Sequence, residues 1–361
     1  MTGFGRGSPA DRTPRELLEF GVINLDKPPG PSAHQVSGWV RDLLDESAAA
    51  LPAVEGVDRT GETDGTDGTD GDGNESGIDR AAHAGTLDPK VTGCLPILTG
   101  AATRLSGTLL TPKEYVAVLE VHERLPEDFE AVVGEFVGPI YQKPPRKSAV
   151  SRRLRMREIY GLEVLDSEAR RALLRISCES GTYVRKLCHD LGLALGTGAH
   201  MGDLRRTRAR PFDDRDLVTL HDLTDALAFA TAGEVEALRE VVKPAERALV
   251  HLPHLVVAES AAREVANGAP VYAPGVLDYE SPERTLTGEK PGSGRHGGGG
   301  HDGDGNRNKG GSNDSTNGGR DDETPLVTCC TPDGAAVCLG RLVGDPEAEH
   351  GTVVDTERVL V

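Results

Sequence analysis

The sequence AHAGTLDPKVTGCLPI, residues 82–97, contains the densest group of candidate functional residues in the chain. Gly85 and Pro89 bracket a short irregular loop within it. Pro89 also confines the backbone of Asp88 to extended geometry, because a proline ring restricts the residue that precedes it. Catalytic side chains are often carried by loops that rigid elements hold in place. Asp88 is therefore a candidate catalytic carboxylate, and an ordinary Asp-Pro turn is the alternative interpretation.

Three further segments carry candidate residues. SGTYVRKLCHDLG has Tyr183 and Arg185 at a predicted strand-to-helix junction, where side chains can project into a cleft. GVINLDKPPGPSAHQV has Lys27 in a Pro/Gly-rich turn before a predicted helix, and PKEYVAVLEVH has Tyr115 on a predicted strand. Each residue also fits an ordinary role, such as core packing for the tyrosines and a surface charge for Arg185. Taken singly, the segments leave both interpretations open.

Hydropathy patterns predict three helices in the first two-thirds of the chain. Ser32 and Gln35 match a capping box, and the helix that they open is predicted to end at Leu44. Its apolar stripe comprises Val36, Trp39, Val40, Leu43 and Leu44. A second helix follows a break at Gly181 and is predicted to bury Val184, Leu187, Leu191 and Leu195. The third covers residues 219–230.

Strands are predicted between these helices. Residues 115–122 alternate, which places Tyr115, Ala117, Leu119 and Val121 on one face. Residues 171–180 form another strand, with Leu174, Ile176 and Cys178 on one side. Strands and helices follow one another without a regular βαβ period, so we predict the α+β class rather than a doubly wound sheet.

The pattern of apolar and turn residues changes at about residue 246. Short apolar runs there alternate with turn residues, which predicts a small β-barrel with one helix at residues 260–267. We therefore expect a catalytic domain at 1–245 and a second domain at 246–361. Two Gly/Asp-rich segments, at about 45–79 and 281–323, have almost no apolar residues and are predicted to be disordered insertions.

The formal charge of the chain is −18, but residues 141–215 carry a local net charge of +8. The cations there form a predicted basic stripe: Lys143, Arg146, Lys147, Arg152, Arg153, Arg155 and Arg157. Phosphate binding needs such cations, whereas a plain solvated face is the alternative. The acidic remainder suits a cell with molar internal salt; this hypothesis predicts that folding collapses as salt is removed, and full stability in dilute buffer would contradict it.

The sequence lacks the signals that are typical of membrane, secreted and nucleotide-binding proteins. No run of about 18 apolar residues suggests a membrane span. The first residues lack the apolar middle of a signal peptide, so we expect a cytoplasmic protein. The six cysteines include no CxxC pair, and no dinucleotide, Walker or HExxH motif is present. We expect no cofactor and no metal.

In order and wording, the four segments resemble the TruB family of pseudouridine synthases, in the branch that includes dyskerin and its archaeal counterparts. The resemblance runs from about residue 21 to residue 211 with the first insertion removed, and continues to the C-terminus. It implies the pseudouridine-synthase fold, a mixed and mainly antiparallel sheet with flanking helices. For the C-terminal segment it implies a PUA domain, an RNA-binding β-barrel.

The resemblance also implies roles for individual residues. GTLDPKVTG is similar to the family's catalytic loop, so Asp88 takes the role of catalytic aspartate, and KEY gives Tyr115 the role of stacking on the target uracil. GTYVRKL brings Tyr183 and Arg185 to the site, and we expect Arg185 to clamp a buried Asp88. LDKPPGPSAHQV places Lys27 near the RNA-binding cleft, and LRRTRARPF makes Leu204 a pocket residue.

One departure concerns the segment before the aspartate. AHAGTLDP replaces the family's usual GHSGTLDP or GHTGALDP, so Ala82 and Ala84 stand where a glycine and a hydroxyl residue are typical. This puts one loop hydrogen bond in question. His83 is retained and resembles the residue that helps to hold the target nucleotide out of its stack.

The implied activity is isomerisation of uridine to pseudouridine in RNA. One hypothesis is a guide-RNA-dependent enzyme for ribosomal RNA in an H/ACA ribonucleoprotein, with a zinc-ribbon, a Gly/Arg-type and a kink-turn-binding protein as partners. A second is a stand-alone enzyme for position 55 of the tRNA TΨC loop. Other classes are a non-catalytic RNA-binding scaffold and an unrelated hydrolase that uses Asp88 and His83.

Overall fold

The structure is a computed structural model that describes residues 6–48, 50–51, 78–144, 151–281 and 324–361. Most of both predicted insertions lies outside the described residues, as do Arg146 and Lys147. The chain divides into two compact units, one of Met1–His251 with Asp333–Ala335 and one of Leu252–Pro332 with Ala336–Val361. The sequence placed the boundary a few residues earlier, at 245/246.

The first unit is built on one mixed, mainly antiparallel sheet in the order β10-β1-β3-β8-β4-β7-β6-β5, with β2 on β3 and β9 on β8. Its strands are β1 (Gly21–Lys27), β2 (Ala81–His83), β3 (Thr92–Thr99), β4 (Lys113–Val121), β5 (Gly138–Gln142), β6 (Arg155–Glu168), β7 (Arg171–Cys178), β8 (Ala199–Ala209), β9 (Phe212–Asp213) and β10 (Lys243–Pro244). This architecture confirms the predicted α+β class.

Six helices flank that sheet in the described part of the first unit. They are α1 (Pro14–Glu19), α2 (Ala33–Ala48), α3 (Phe129–Gly134), α4 (Val184–Ala194), α5 (Leu220–Thr231) and α6 (Glu236–Val241). Two 3-10 segments, Gly100–Leu109 and Ala245–Ala248, complete the unit. The predicted third helix is confirmed in α5, where Thr219 and Asp222 form a capping box.

The central strands follow the predicted alternation. In β4 every second residue from Lys113 to Val121 is buried, and in β7 the same holds for Ala172, Leu174, Ile176 and Cys178. The two strands pair antiparallel over their whole length. A strand whose one face is buried needs its apolar residues at every second position, so this face was readable from the sequence.

Helix α2 corrects two predictions. Ser32 and Gln35 do form the capping box, but the helix continues to Ala48 instead of ending at Leu44. The buried residues of α2 follow a 3–4 spacing up to Ala48. Trp39 lies one position away from that stripe and is 47% exposed, because each residue turns the helix by about 100°. The prediction that Trp39 is buried was therefore wrong.

The junction before α4 is shaped by Gly181, whose φ of +82° is accessible to glycine at little cost. Val184, Leu187 and Leu191 are buried as predicted. Leu195 follows the last helical residue and is only partly buried, which corrects its predicted place in the core.

The second unit contains a six-stranded sheet in the order β12-β16-β15-β14-β11-β13 and one helix, α7 (Glu259–Ala266). Its strands are β11 (His254–Val257), β12 (Val271–Tyr272), β13 (Val276–Glu280), β14 (Leu326–Cys330), β15 (Ala336–Leu342) and β16 (Thr352–Val359), with a 3-10 turn at Ala273–Gly275. Shortly after α7, Gly268 adopts a positive φ of +91°. The predicted β-rich C-terminal unit with a single helix is present. In the described part of the chain, no helix has the length and apolarity needed to cross a membrane.

Candidate active site

Asp88 lies on an irregular loop that joins β2 to β3. Ala84, Leu87 and Val91 anchor this loop in the core, whereas Asp88 is exposed between them. The backbone N–H of Ala84 donates to the carbonyl of Pro96 at 2.9 Å. The loop is therefore held at this point by a backbone contact, without the hydroxyl side chain that the family usually has there.

Arg185 forms the expected ion pair with Asp88. It is the second residue of α4, so the helix fixes the position from which its side chain reaches the loop. The Asp88 side chain is 49% exposed and that of Arg185 is 50% exposed. The expectation of a buried Asp88 was therefore wrong. Because an exposed ion pair contributes little to stability, the pair is better suited to orienting the carboxylate than to stabilising the fold.

Lys27 does not face the cleft as predicted. Its side chain is fully buried, and its ammonium donates hydrogen bonds to the carbonyls of Pro28 (2.8 Å), Pro89 (3.0 Å) and Val91 (2.8 Å). Burial lowers the pKa of this ammonium. Two of the three carbonyls belong to the loop on the C-terminal side of Asp88. The predicted RNA contact is therefore incompatible with the burial of Lys27. Instead, Lys27 supports the loop from the interior of the protein through these hydrogen bonds.

Tyr115 is on the buried face of β4 and is 8% exposed. Burial raises the pKa of its phenol, so the hydroxyl is neutral at physiological pH. Its cross-strand partners are Ile176 on β7 and Arg206 on β8. Only a small part of Tyr115 is accessible, and its predicted stacking on the target uracil stays a prediction.

Arg206 was not among the predicted site residues. Its side chain is 1% exposed, so its guanidinium lies on the buried side of the Asp88 loop. There it contacts the carbonyls of Gly85 and Cys94. The sequence offered a signal, because Arg206 belongs to the LRRTRARPF segment. That segment directed attention to Leu204, which is 9% exposed and lies opposite Ala117 in the core sheet.

Gln142 was also missed. It is 2% exposed at the end of β5, and its carboxamide makes two hydrogen bonds to the backbone of Tyr183. The Tyr183 N–H donates to Oε1 at 2.9 Å, and Nε2 donates to the Tyr183 carbonyl at 3.2 Å. Tyr183 precedes α4 directly and is partly buried. Gln142 thus fixes the start of the helix that carries Arg185.

His83 is at the end of β2, five residues before Asp88. It is partly buried, and its Nδ1 atom has no hydrogen-bond partner among the described residues. Burial is the main cause that lowers the pKa of its imidazole, with electrostatic effects of Arg206 and His34 acting in the same direction. His83 is therefore a neutral ring next to the loop, and its contact with RNA stays a prediction.

The described members of the basic stripe do not form one uniform face. Lys143, Arg152 and Arg153 are exposed, whereas Arg155 and Arg157 are partly buried. Arg157 pairs with Glu179 at 2.8 Å and packs beside Gly181, so it supports the turn before α4. That contact corrects its predicted place as a free RNA-binding cation. Lys143, Arg152 and Arg153 remain accessible for RNA phosphates.

Lys113, at the start of β4, is a third buried cation near the loop. It is 4% exposed, and its ammonium donates to the Leu109 carbonyl (2.8 Å) and the Thr111 hydroxyl (3.0 Å). Burial, assisted by the nearby Arg206, lowers the pKa of Lys113 from 10.5 to about 8. The folded protein therefore releases this proton more readily than the unfolded chain does.

This shift predicts a pH dependence of stability. Between pH 8 and pH 10.5 the unfolded chain binds more protons at Lys113 than the folded protein does. The free energy of unfolding should therefore rise with pH in this window, by about 1 kcal/mol per pH unit from this group. Denaturant titrations of the wild type and Lys113→Met across pH 7–11 measure the difference between the two proteins. A difference that stays constant across the window contradicts the shift.

Three protein-family models match parts of this chain. The TruB family pseudouridylate synthase N-terminal domain matches residues 74–184, and the tRNA pseudouridylate synthase B C-terminal domain matches residues 185–250. A third family, the DKCLD (NUC011) domain, matches residues 2–37. All three matches lie in the first unit.

Full-length relatives are similar to the whole chain. Probable tRNA pseudouridine synthase B of Halobacterium salinarum is 51% identical over 99% of both chains. The protein of the same description from Haloarcula marismortui is 49% identical over 99% of this chain and 93% of its own length. That from Methanopyrus kandleri is 38% identical over 98% of this chain and 86% of its own length.

Solved structures are also similar to almost the whole chain. A chain in a Cbf5-Nop10-Gar1 complex superposes with a TM-score of 0.74 at 35% identity, over 100% of this chain and 91% of the other. A chain in an H/ACA ribonucleoprotein bound to a substrate RNA containing 2′-deoxyuridine superposes with a TM-score of 0.71 at 33% identity, over 99% of this chain and 91% of the other. Both superpositions cover at least 99% of this chain, at sequence identities of 35% and 33%.

Proposed function

Because the chain belongs to the TruB family of pseudouridine synthases, we propose that it is the catalytic subunit of an RNA-guided H/ACA-type ribonucleoprotein and modifies ribosomal RNA in the cytoplasm. The observation that carries the proposal is its full-length similarity to a chain found in complex with Nop10 and Gar1. An enzyme of the family isomerises uridine to pseudouridine. The guided assembly and the ribosomal target are the proposed part.

The proposed centre of the reaction is the Asp88 carboxylate. Isomerisation breaks the C1′–N1 bond, rotates the uracil and forms a C1′–C5 bond; the C5 hydrogen leaves to solvent and N1 gains a proton. No electron or phosphate is consumed. An ionised Asp88 can act in any of three ways, by attack on the sugar, by attack on the ring or by proton abstraction through a glycal. Arg185 orients that carboxylate in each of them.

The target base must leave its stack to reach Asp88, which costs a few kcal/mol. Half of the Asp88 side chain is exposed, which supports access by an extruded nucleotide. Tyr183 and Tyr115 are the proposed contacts of the uracil, Leu204 is a proposed pocket residue, and His83 is proposed to help to hold the nucleotide out of its stack. Lys143, Arg152 and Arg153 are the proposed contacts of the RNA backbone.

The proposed partners follow from the same similarity. Solved relatives occur in complexes named for Nop10 and Gar1 and for a substrate RNA, which supports a guide RNA and small protein subunits for this chain. We expect a zinc-ribbon protein, a Gly/Arg-type protein and a kink-turn-binding protein. The second unit is the proposed RNA-binding PUA domain, in keeping with its six-stranded sheet and single helix.

A stand-alone enzyme for position 55 of the tRNA TΨC loop is the second candidate. It is favoured by the description of the relatives, each a probable tRNA pseudouridine synthase B. The two candidates differ in what they need: the first requires a guide RNA that pairs with its target, and the second requires only tRNA.

One experiment separates them. Purified protein is incubated with tRNA and with a ribosomal RNA fragment, each with and without guide RNA and partner proteins, and pseudouridine is mapped. Conversion of the ribosomal fragment only with guide RNA is expected. Conversion of tRNA alone, with no guided conversion, would replace the first candidate by the second. No conversion of either RNA, together with tight binding, would favour a non-catalytic scaffold.

A further inference from the structure

We propose that Arg206 is a positioning residue that fixes the Asp88 loop and Tyr115 in one arrangement. The inference rests on the proposed catalytic role of Asp88. It concerns a side chain that has no access to RNA, since Arg206 is 1% exposed. Arg206 therefore acts through the groups that it contacts and not on the substrate itself.

The first set of contacts holds the loop. Nε of Arg206 donates to the Cys94 carbonyl on β3 at 2.6 Å, and Nη1 and Nη2 share the Gly85 carbonyl at 3.4 Å each. Gly85 is three residues before Asp88 and has a φ of +109°. A Cβ atom at Gly85 would lie 3.5 Å from Nη1, so the loop backbone rests directly on the guanidinium. Arg206 thereby holds the N-terminal side of the loop, as Lys27 holds the C-terminal side.

The second contact holds the tyrosine. Tyr115 on β4 and Arg206 on β8 are cross-strand partners, so their side chains lie on the same face of the sheet. Arg206 is close enough to the Tyr115 side chain to lower the pKa of the phenol, against the larger raising effect of burial. One guanidinium therefore bonds the loop and β3 and lies next to the tyrosine of β4.

The charge of Arg206 also points to a role beyond packing. Among the described residues no carboxylate pairs with it, and Lys113, a second buried cation, is close enough to interact electrostatically. A buried charge without a counter-ion destabilises a fold, and an apolar side chain would avoid that cost. Arg12 is the contrasting case, because it is equally buried but pairs with Glu246 through two hydrogen bonds of 2.8 and 2.6 Å.

The geometry also requires arginine specifically. A planar guanidinium presents five donors in fixed directions, so it can bond the carbonyls of Gly85 and Cys94 at once. The ammonium of lysine is a single point and would release at least one of them. A displacement of about 1 Å in a catalytic group can reduce the rate about 100-fold, even when the change is remote from the substrate.

Arg206→Lys tests the proposal, with Arg12→Lys as the matched control for loss of a buried guanidinium. We expect kcat of Arg206→Lys to fall about 10- to 100-fold with KM changed less than about twofold, because the loop and not RNA binding is affected. Arg12→Lys should lose stability but keep wild-type kcat per folded molecule. Hydrogen exchange should quicken in residues 84–91 of Arg206→Lys, whereas Arg12→Lys should leave that segment unchanged.

A coupling measurement adds a readout that general destabilisation would not change. If Arg206 acts partly through the Tyr115 hydroxyl, the effects of Arg206→Lys and Tyr115→Phe on kcat should combine to less than their product. Wild-type kcat in Arg206→Lys, an equal loss of kcat in Arg12→Lys, or fully multiplicative effects with Tyr115→Phe would each overturn the proposal.

Two controls keep the outcome interpretable. If Arg206→Lys does not fold, Tyr115→Phe alone removes the hydroxyl next to the guanidinium. Faster exchange in residues 84–91 is then expected, and unchanged exchange overturns the proposal. Asp88→Asn is assayed in parallel. Turnover by Asp88→Asn would remove the proposed role of Asp88, whereas an inactive Asp88→Asn beside a fully active Arg206→Lys would refute the Arg206 inference alone.

Discussion

Asp88→Asn is expected to abolish pseudouridine formation while leaving folding and RNA binding intact. Asparagine has nearly the same size but lacks the negative charge and the basic oxygen that each possible route needs. Loss of an essential nucleophile or general base reduces the rate by on the order of 10⁴- to 10⁶-fold. Because the Asp88 side chain is 49% exposed, the neutral amide leaves no buried group unsatisfied. Nucleoside analysis of the RNA product measures the loss, and thermal unfolding and RNA-binding titrations measure what is retained.

Asp190→Asn is the matched control for this variant. Asp190 is a carboxylate on α4 that pairs with Lys186, another residue of the same helix, and has no contact with the Asp88 loop in the described interactions. Its neutralisation should leave product formation unchanged. Measurable turnover by Asp88→Asn, at the level of Asp190→Asn, would remove Asp88 from the catalytic role.

Arg185→Lys is the second large expected effect, a loss of most activity on the order of 10- to 100-fold in kcat. The guanidinium can bond both carboxylate oxygens in a fixed plane, whereas an ammonium supplies only a point charge. The carboxylate would keep a cationic partner in lysine but would no longer be held in one orientation. Affinity for RNA should change little, because the predicted backbone contacts are made by other cations. Single-turnover rates and binding titrations on the same RNA separate the two effects.

The control for Arg185→Lys is Arg175→Lys. Arg175 is an exposed arginine on β7 that pairs with Glu163 at 2.7 Å, in a strand and not beside the loop. Its replacement should leave the rate at the wild-type level, since exposed pairs contribute little. A wild-type rate for Arg185→Lys as well would mean that orientation by the guanidinium is not needed, and the role given to the ion pair would be wrong.

The sequence predicted the exposed residues of the site better than the buried residues that hold them in place. Asp88 and Arg185 were identified through the motifs that they belong to, and the ion pair between them is present. Lys27 and Arg206 lie in two further motifs, yet charged residues are so rarely buried that their motifs did not indicate a buried position for either of them. What places them inside is a set of backbone carbonyls from distant segments, such as Gly85, Pro89 and Cys94. A single sequence contains no record of those tertiary neighbours.

The fold shows the same limit. Alternation identified the buried face of β4 because one face of a strand is a local property. The extent of α2 was underestimated because Asp45 and Glu46 look like the start of an acidic insertion, although both are exposed and Ala48 beyond them is buried. Trp39 was assigned to the apolar stripe of α2 by helical spacing, but the orientation of the helix leaves it at the exposed edge of that stripe. Tertiary contacts that override local preference account for these errors.

A structure of this protein bound to a substrate RNA, with the target nucleotide made unreactive, would be the decisive measurement. The account predicts that the nucleotide is extruded, that an Asp88 oxygen lies about 3–3.5 Å from the reacting carbon with Arg185 still bonded to the carboxylate, and that the base touches Tyr115 or Tyr183. A target base that remains stacked in the RNA, or that is bound out of reach of the Asp88 carboxylate, would contradict it.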